Sequence, residues 1–274
     1  MHNSLRHVIG VLTLLFAVTL NGHASTIILS GDVNIVTSLD GSLGDIVNPG
    51  NQLFFQNFLG AGTRVVVHDR SGFPVSGSFI NTINNYYNGL SGVSSITLSG
   101  SITNAALSGA DLFISVLPGT DFSSEELIEL SSFGGDIIFI GDNAIFVPAN
   151  TRINAALSGL GSSMSLLSTT LDQGAHIATG SQFADDPYTL GVASLRYFGP
   201  GQISIGDGKA LLFGTEGQPF IGYEVVSVSE PVSLLLIGLG LGGISIARRS
   251  LGHTSLQLGT FHHTGFKEIR RSDA

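Results

Sequence analysis

Apolar and polar positions divide the 274 residues into three stretches. Residues 8–20 form one apolar run and residues 231–247 another; between them the hydrophobic period keeps changing. Short apolar runs of strand type stand at 63–68, with Val65, Val66 and Val67 at the centre, and at 93–98, 112–117 and 137–140. The intervening segments have a helical period. Leu53, Phe54, Phe55, Phe58 and Leu59 predict a helix over 51–59. Phe79, Ile80, Ile83 and Tyr87 predict another over 78–88, stopped by Gly89, and 102–107 reads as a short one. Ser123 and Glu126 stand three apart, as in a capping box, and open a helix with Leu127, Leu130 and Phe133 on one face. Ile153, Leu157 and Leu160 predict a helix over 148–160. Strands alternating with helices predict βαβ crossovers and a mostly parallel sheet. After Gly161 the pattern becomes strand-only, at 163–171, 193–198, 202–205, 210–213 and 220–226, with Asp207-Gly208 as a hairpin turn signal. At the front, 25–39 alternates imperfectly and reads as an N-terminal strand region.

The two apolar runs carry the organisation. Residues 1–24 have the form of a secretory signal peptide: a weakly basic start at Arg6, a core over 8–20 too short to span, and Gly22 and Ala24 at the small-residue sites. A mature chain would begin near Ser25. Residues 231–247 hold no charge and match the short end of the roughly 17–25 apolar residues that a spanning helix needs. Pro231 suits a first helical turn, and Arg248 and Arg249 close the run on one side only. Basic residues beside a span favour the cytoplasmic face, so 25–229 is expected outside the cytoplasmic membrane and 250–274 inside it as a disordered tail. Gly238, Gly240 and Gly243 spell G-x-G-x-x-G, but an apolar span supplies neither the strand nor the soluble helix of a dinucleotide site.

Glu230, Pro231, the apolar run and Arg248–Arg249 together resemble the PEP-CTERM sorting signal of exopolysaccharide-producing Gram-negative bacteria. The likeness covers about 21 residues. Ser229 stands where that family has a first proline, and 25 residues follow the arginines where the family usually stops. The resemblance implies an exosortase-like processing enzyme as a partner, membrane anchoring, release to the cell surface or matrix, and association with exopolysaccharide. A second resemblance lies in 110–143, ADLFISVLPGTDFSSEELIELSSFGGDIIFIGDN, which looks like a class I glutamine amidotransferase-like domain, loosely extended over 63–226. It implies a flavodoxin-like three-layer sandwich. The turn that carries the cysteine in active members would here be Gly141-Asp142-Asn143, so amidotransferase activity does not carry over.

Composition narrows the chemistry. Arg64, Arg70, Arg152, Arg196 and Lys209 are the positive charges of 25–229, against 17 Asp and Glu, a net charge of −12. Such a surface argues against nucleic acid as a partner. No cysteine is present, which removes thiol nucleophiles and Cys-based metal sites. In open α/β sheets ligands bind beyond the carboxyl ends of the strands. Those ends carry His68, Asp69, Arg70 and Ser71, then Thr120 and Asp121, then Asp142 and Asn143. Asp69, Ser71, Asp142 and Asn143 are the candidate ligand-binding residues. Ser71, His176 and Asp142 could be assembled on paper into a serine triad, but no G-x-S-x-G elbow supports it. Asp69, Asp121 and Asp142 are oxygen donors of the kind calcium takes, yet without EF-hand spacing they read as turn formers. No metal or cofactor is expected. The reading is an exported, anchored, non-catalytic envelope protein; the alternative is a secreted hydrolase or small-ligand-binding enzyme using the strand-end cluster.

Overall fold

A computed structural model describes residues 24–70 and 76–227. The expected signal peptide, Ser71, the sorting residues Glu230, Pro231, Arg248 and Arg249, and the tail lie outside the described residues.

Strand β2 (Arg64–His68) shows how the core is divided. Successive side chains of a strand point to opposite faces. Val65 and Val67 therefore join one apolar cluster and Val66 the other. The same split holds in β4 (Leu112–Val116) and β5 (Asp136–Ile140), which are buried on both faces, as near-continuous apolar runs in a parallel sheet must be. Val65, Val66, Ile114, Ile138 and Ile140 are all buried, in three adjacent parallel strands, as the pattern predicts.

The main sheet has seven strands in the order β10-β11-β1-β5-β4-β2-β3. The flanking members are β1 (Ala24–Ser30), β3 (Ser94–Leu98), β10 (Lys209–Phe213) and β11 (Pro219–Ser227). β3, β2, β4, β5 and β1 run parallel; β11 and β10 add an antiparallel margin. Helices α1 (Pro49–Leu59) and α2 (Ser76–Asn88) cover one face through Phe54, Phe55, Ile83 and Tyr87. Helices α3 (Asn104–Leu107), α4 (Ser124–Ser131) and α5 (Val147–Gly159) cover the other through Leu107, Leu130, Ile153 and Leu157. Each start has its local cause. Asn48 caps α1, accepting from the N–H groups of Gly50 and Asn51, and Pro49 occupies the first turn. The capping box of α4 is present, with Ser123 and Glu126 exchanging bonds.

Two small antiparallel ladders lie outside the main sheet. β6 (Ser165–Thr170) pairs with β9 (Gly201–Ser204), and β7 (Ala175–Thr179) with β8 (Ser194–Phe198). Two readings of the pattern are corrected here, and one strand was missed. The N-terminal strand stops at Ser30, because the Asp32 side chain accepts from the Asn34 N–H and turns 33–36 into a 3-10 helix. Asp207-Gly208 does not close a hairpin: β9 and β10 belong to different ladders, and Gly206, at φ +56°, redirects the chain between them. β7 was not legible, because its alternate residues Ala175, Ile177 and Thr179 are exposed.

Ala24 is the register partner of Ser227, so the first and last described residues leave side by side from one end of the sheet. The carboxyl ends of the parallel strands lie at the opposite end.

Candidate functional site

After β2 the chain steps outward to β3, then returns past β2 to β4. Such reversals open a crevice at the carboxyl ends of the strands. Two polar groups of side chains occupy that edge.

The first group sits at β2 and β4. His68 and Ser115 are register partners and both are buried. His68 Nε2 lies 3.1 Å from the Gly100 carbonyl, which fixes it as the donor and leaves Nδ1 bare. Burial and the Arg70 charge hold the imidazole pKa below its ordinary value. Arg70 forms an ion pair with Glu126, donates to the carbonyl of Asp121 and to Thr120 Oγ1 at 3.3 Å, and lies 4.7 Å from the centre of the Phe122 ring. Burial pushes the Glu126 carboxyl up, but bonds from the Ser123 and Ile102 N–H groups and from Arg70 outweigh it and hold the group below the usual range. His68 Nδ1, Arg70 Nε and Ser115 Oγ are buried without a hydrogen-bond partner. The group is roofed by Phe122, whose ring centre is 6.0 Å from that of His68.

The second group sits at β1 and β5, where the same dipeptide ends both strands: Gly31-Asp32 and Gly141-Asp142. Both carboxylates are buried. Asp32 accepts from the N–H of Asn34 (2.8 Å), from Asn34 Nδ2 (3.1 Å) and from the N–H of Phe198 (2.9 Å). Desolvation nevertheless raises its pKa to about 7. Asp142 accepts from the Asn143 N–H at 2.8 Å; desolvation and then the Asp32 charge raise its pKa to about 8. Two like charges in one dry site cannot both form cheaply, so the pair retains a proton at neutral pH. The segment 198–201 is strapped over them. Asn34 Nδ2 donates to the Phe198 carbonyl, Asn143 Nδ2 to that of Gly199, and the Gly201 N–H to that of Gly31. The glycines permit this approach: a Cβ on Gly31 would lie 2.0 Å from the Gly201 carbonyl oxygen.

Beside the strap lies a cleft of about 300 Å³ lined by Asn34, Thr37, Leu43, Asp45, Arg196 and Phe198, among others. Arg196 Nε meets the Asp45 carboxylate at 3.0 and 3.1 Å. Burial pushes the Asp45 carboxyl up, but bonds from Thr37, the Ile46 N–H, Arg196 and Ser38 hold it below the usual range. The amide of buried Asn51 pairs with both the N–H and the carbonyl of Arg196, fixing the backbone from which the guanidinium projects.

The candidate residues therefore separate. Asp142 and Asn143 are neighbours in the strapped group. Asp69 ends β2, two strand spacings away across β4, roughly 10 Å; its N–H donates to the Leu98 carbonyl. His176 is on β7, stacked on Tyr197 at 5.5 Å, with Nε2 on the Gln173 carbonyl. Asp121 pairs with Arg152 at 3.5 Å. Among the described residues no group of three or more His, Cys, Asp or Glu could hold a metal ion, and no helix is long and apolar enough to cross a membrane. Asp32, Asn34, Asp45 and Arg196 were not singled out from sequence. The repeated Gly-Asp at two strand ends was the signal available for Asp32; nothing local marks Arg196.

No family model matches the chain, and no curated protein matches it. Among solved structures, the mmIFT52 N-terminal domain is similar at 15% identity, over 71% of this chain and 100% of that one, with a TM-score of 0.40. A pyridoxal-5'-phosphate dependent protein, YhfS from Escherichia coli, is similar at 16% identity over 43% of this chain and 29% of that one, with a TM-score of 0.23. Likeness this slight carries no argument about activity.

Proposed function

We propose that this chain is an exported, membrane-anchored protein of the cell envelope, sorted by an exosortase-like system of the PEP-CTERM type, with its α/β domain outside the cytoplasmic membrane. The observation that carries the reading is the run from Glu230 to Arg249: an acidic-proline start, an uncharged stretch of membrane length and a basic pair on one side. The pairing of Ala24 with Ser227 is compatible with it, since a leader and an anchor would then join the domain at one end of the sheet. The domain itself reads as a variant of the flavodoxin-like three-layer layout. The order β3-β2-β4-β5 follows that pattern, and the fifth parallel place goes to the N-terminal strand β1. Its role is binding rather than catalysis in this reading, because the strand-end groups hold the protein's own backbone.

A catalytic reading has one observation in its favour. Asp32 and Asp142 share a buried site with raised pKa values, the ingredient of acid–base chemistry near neutral pH. Against it, the strap at 198–201 is hydrogen-bonded to Asp32 and to Asn143, directly beside that pair.

The test is a reporter fused after Ala274 that is active only in the cytoplasm. Activity is expected in cells whose domain is reached by external protease. An inactive reporter beside an exported domain would remove the physical basis of the sorting reading.

A further inference from the structure

We propose that the cleft beside β8 binds a neutral, polyhydroxylated ligand of the saccharide class. The inference stands on the cleft alone and not on the anchor. Its volume, about 300 Å³, is at the lower end of the range that holds small molecules.

The donor and acceptor pattern selects the ligand. Asp45 takes bonds from Thr37 Oγ1 (2.8 Å), Ser38 Oγ (3.1 Å), the Ile46 N–H (2.8 Å) and Arg196 Nε, which fills its carboxylate. It serves as the fixture that aims Arg196. A guanidinium carries five N–H donors in a rigid fork; Nε meets Asp45, and Arg196 is one of the residues that line the cleft. Asn34 commits its Nδ2 to Asp32 and to the Phe198 carbonyl, which leaves Oδ1 as an acceptor. Fixed donors and a fixed acceptor thus share one small cleft with apolar surface from Phe198, 49% exposed, and Leu43, 36% exposed.

Charge then decides between classes. The charges of Arg196 and Asp45 cancel locally. A cation would meet the guanidinium. A free anion would meet Asp45 and a domain of net charge −12. A sugar ring is neutral, has hydroxyls that both donate and accept, and has an apolar C–H face to lay on Phe198. The cleft also lies at the carboxyl end of the sheet, away from the end where Ala24 and Ser227 leave the domain.

The experiment uses the full chain in detergent on an array of neutral glucan, mannan and galactan fragments. Oligogalacturonates and chitosan oligomers serve as anionic and cationic probes. Binding to at least one neutral fragment is expected, with a loss of tenfold or more in Arg196→Met and in Phe198→Ala. Ala175→Glu adds a bulky carboxylate from an exposed position that lines the same cleft as Arg196, where it would compete with a ligand for the guanidinium; it should cause the same loss with an unchanged melting temperature. Glu216→Gln, an exposed position not among the cleft residues, should bind as wild type. If Arg196→Met does not fold, Ala175→Glu decides the question. No binding to any neutral fragment, stronger binding to the charged oligomers, or full binding by Ala175→Glu would overturn the proposal.

Discussion

Asp142→Asn is the substitution that tests the physical account of the strand ends. An acid whose pKa is raised by folding binds its proton more tightly in the folded state. Its stabilising effect is complete below the unfolded value and is lost as the pH rises through the folded one. For Asp142 the window runs from 3.8 to about 8. At about 1.4 kcal/mol per tenfold in proton affinity, that gap comes to about 6 kcal/mol if the domain keeps the ionised group in place without relaxing. Relaxation of the strap at 198–201 will return part of it. Asparagine keeps the shape and the acceptor for the Asn143 N–H, carries no charge, and also relieves Asp32. The comparison with wild type isolates the Asp32–Asp142 pair, because His68, Asp45 and Glu126 titrate in both proteins. Urea denaturation followed by far-UV circular dichroism at pH 5, 7 and 9 gives the stability of each. At pH 5 the variant should already be the more stable by about 1.5 kcal/mol, and its advantage should grow with pH, to about 3 kcal/mol or more at pH 9. A difference that does not change with pH, or a variant that is the weaker at pH 9, would refute the reasoning.

Ile138→Asp puts a carboxylate between Ile28 and Ile114, in the middle of the parallel sheet; it should cost several kcal/mol and leave the domain insoluble or unfolded, and normal melting would count against the core as described. Gly31→Ala drives a methyl group into the Gly201 carbonyl; a loss of about 2 kcal/mol or more is expected, and a neutral outcome would mean that the strap is not held as closely as it is drawn. Gly240→Arg places a charge near the middle of the expected span, at about 2.5–3.5 kcal/mol on insertion scales; fractionation should find the chain released from the membrane, and unchanged membrane retention would contradict the span.

The order of strands and helices in 49–160 was legible because each element there carries its own period and its own stop. The triple valine of β2, the phenylalanines of α1 and the capping box of α4 are local signals. What was not legible depends on partners distant in sequence. β7 is half exposed and is a strand only because β8 lies beside it. Asp207-Gly208 has the composition of a hairpin turn, yet β9 finds its partner in β6 and β10 in β11. The site divides in the same way. Asp142 and Asn143 could be named from the rule that α/β crevices form at strand ends, whereas Arg196 acquires a role only when Asn51, 145 residues earlier, pins its backbone and Asp45 aims its side chain. Asp32 became visible as a partner of Asp142 only once β1 was placed next to β5, across more than a hundred residues of chain.

The central claim is export followed by anchoring, and the mass of the mature protein from the producing cell tests it most directly. The account predicts an envelope-bound chain whose first residue is at or near Ser25, where Gly22 and Ala24 meet the small-residue rule. An envelope-bound protein that still begins with Met1 would contradict it.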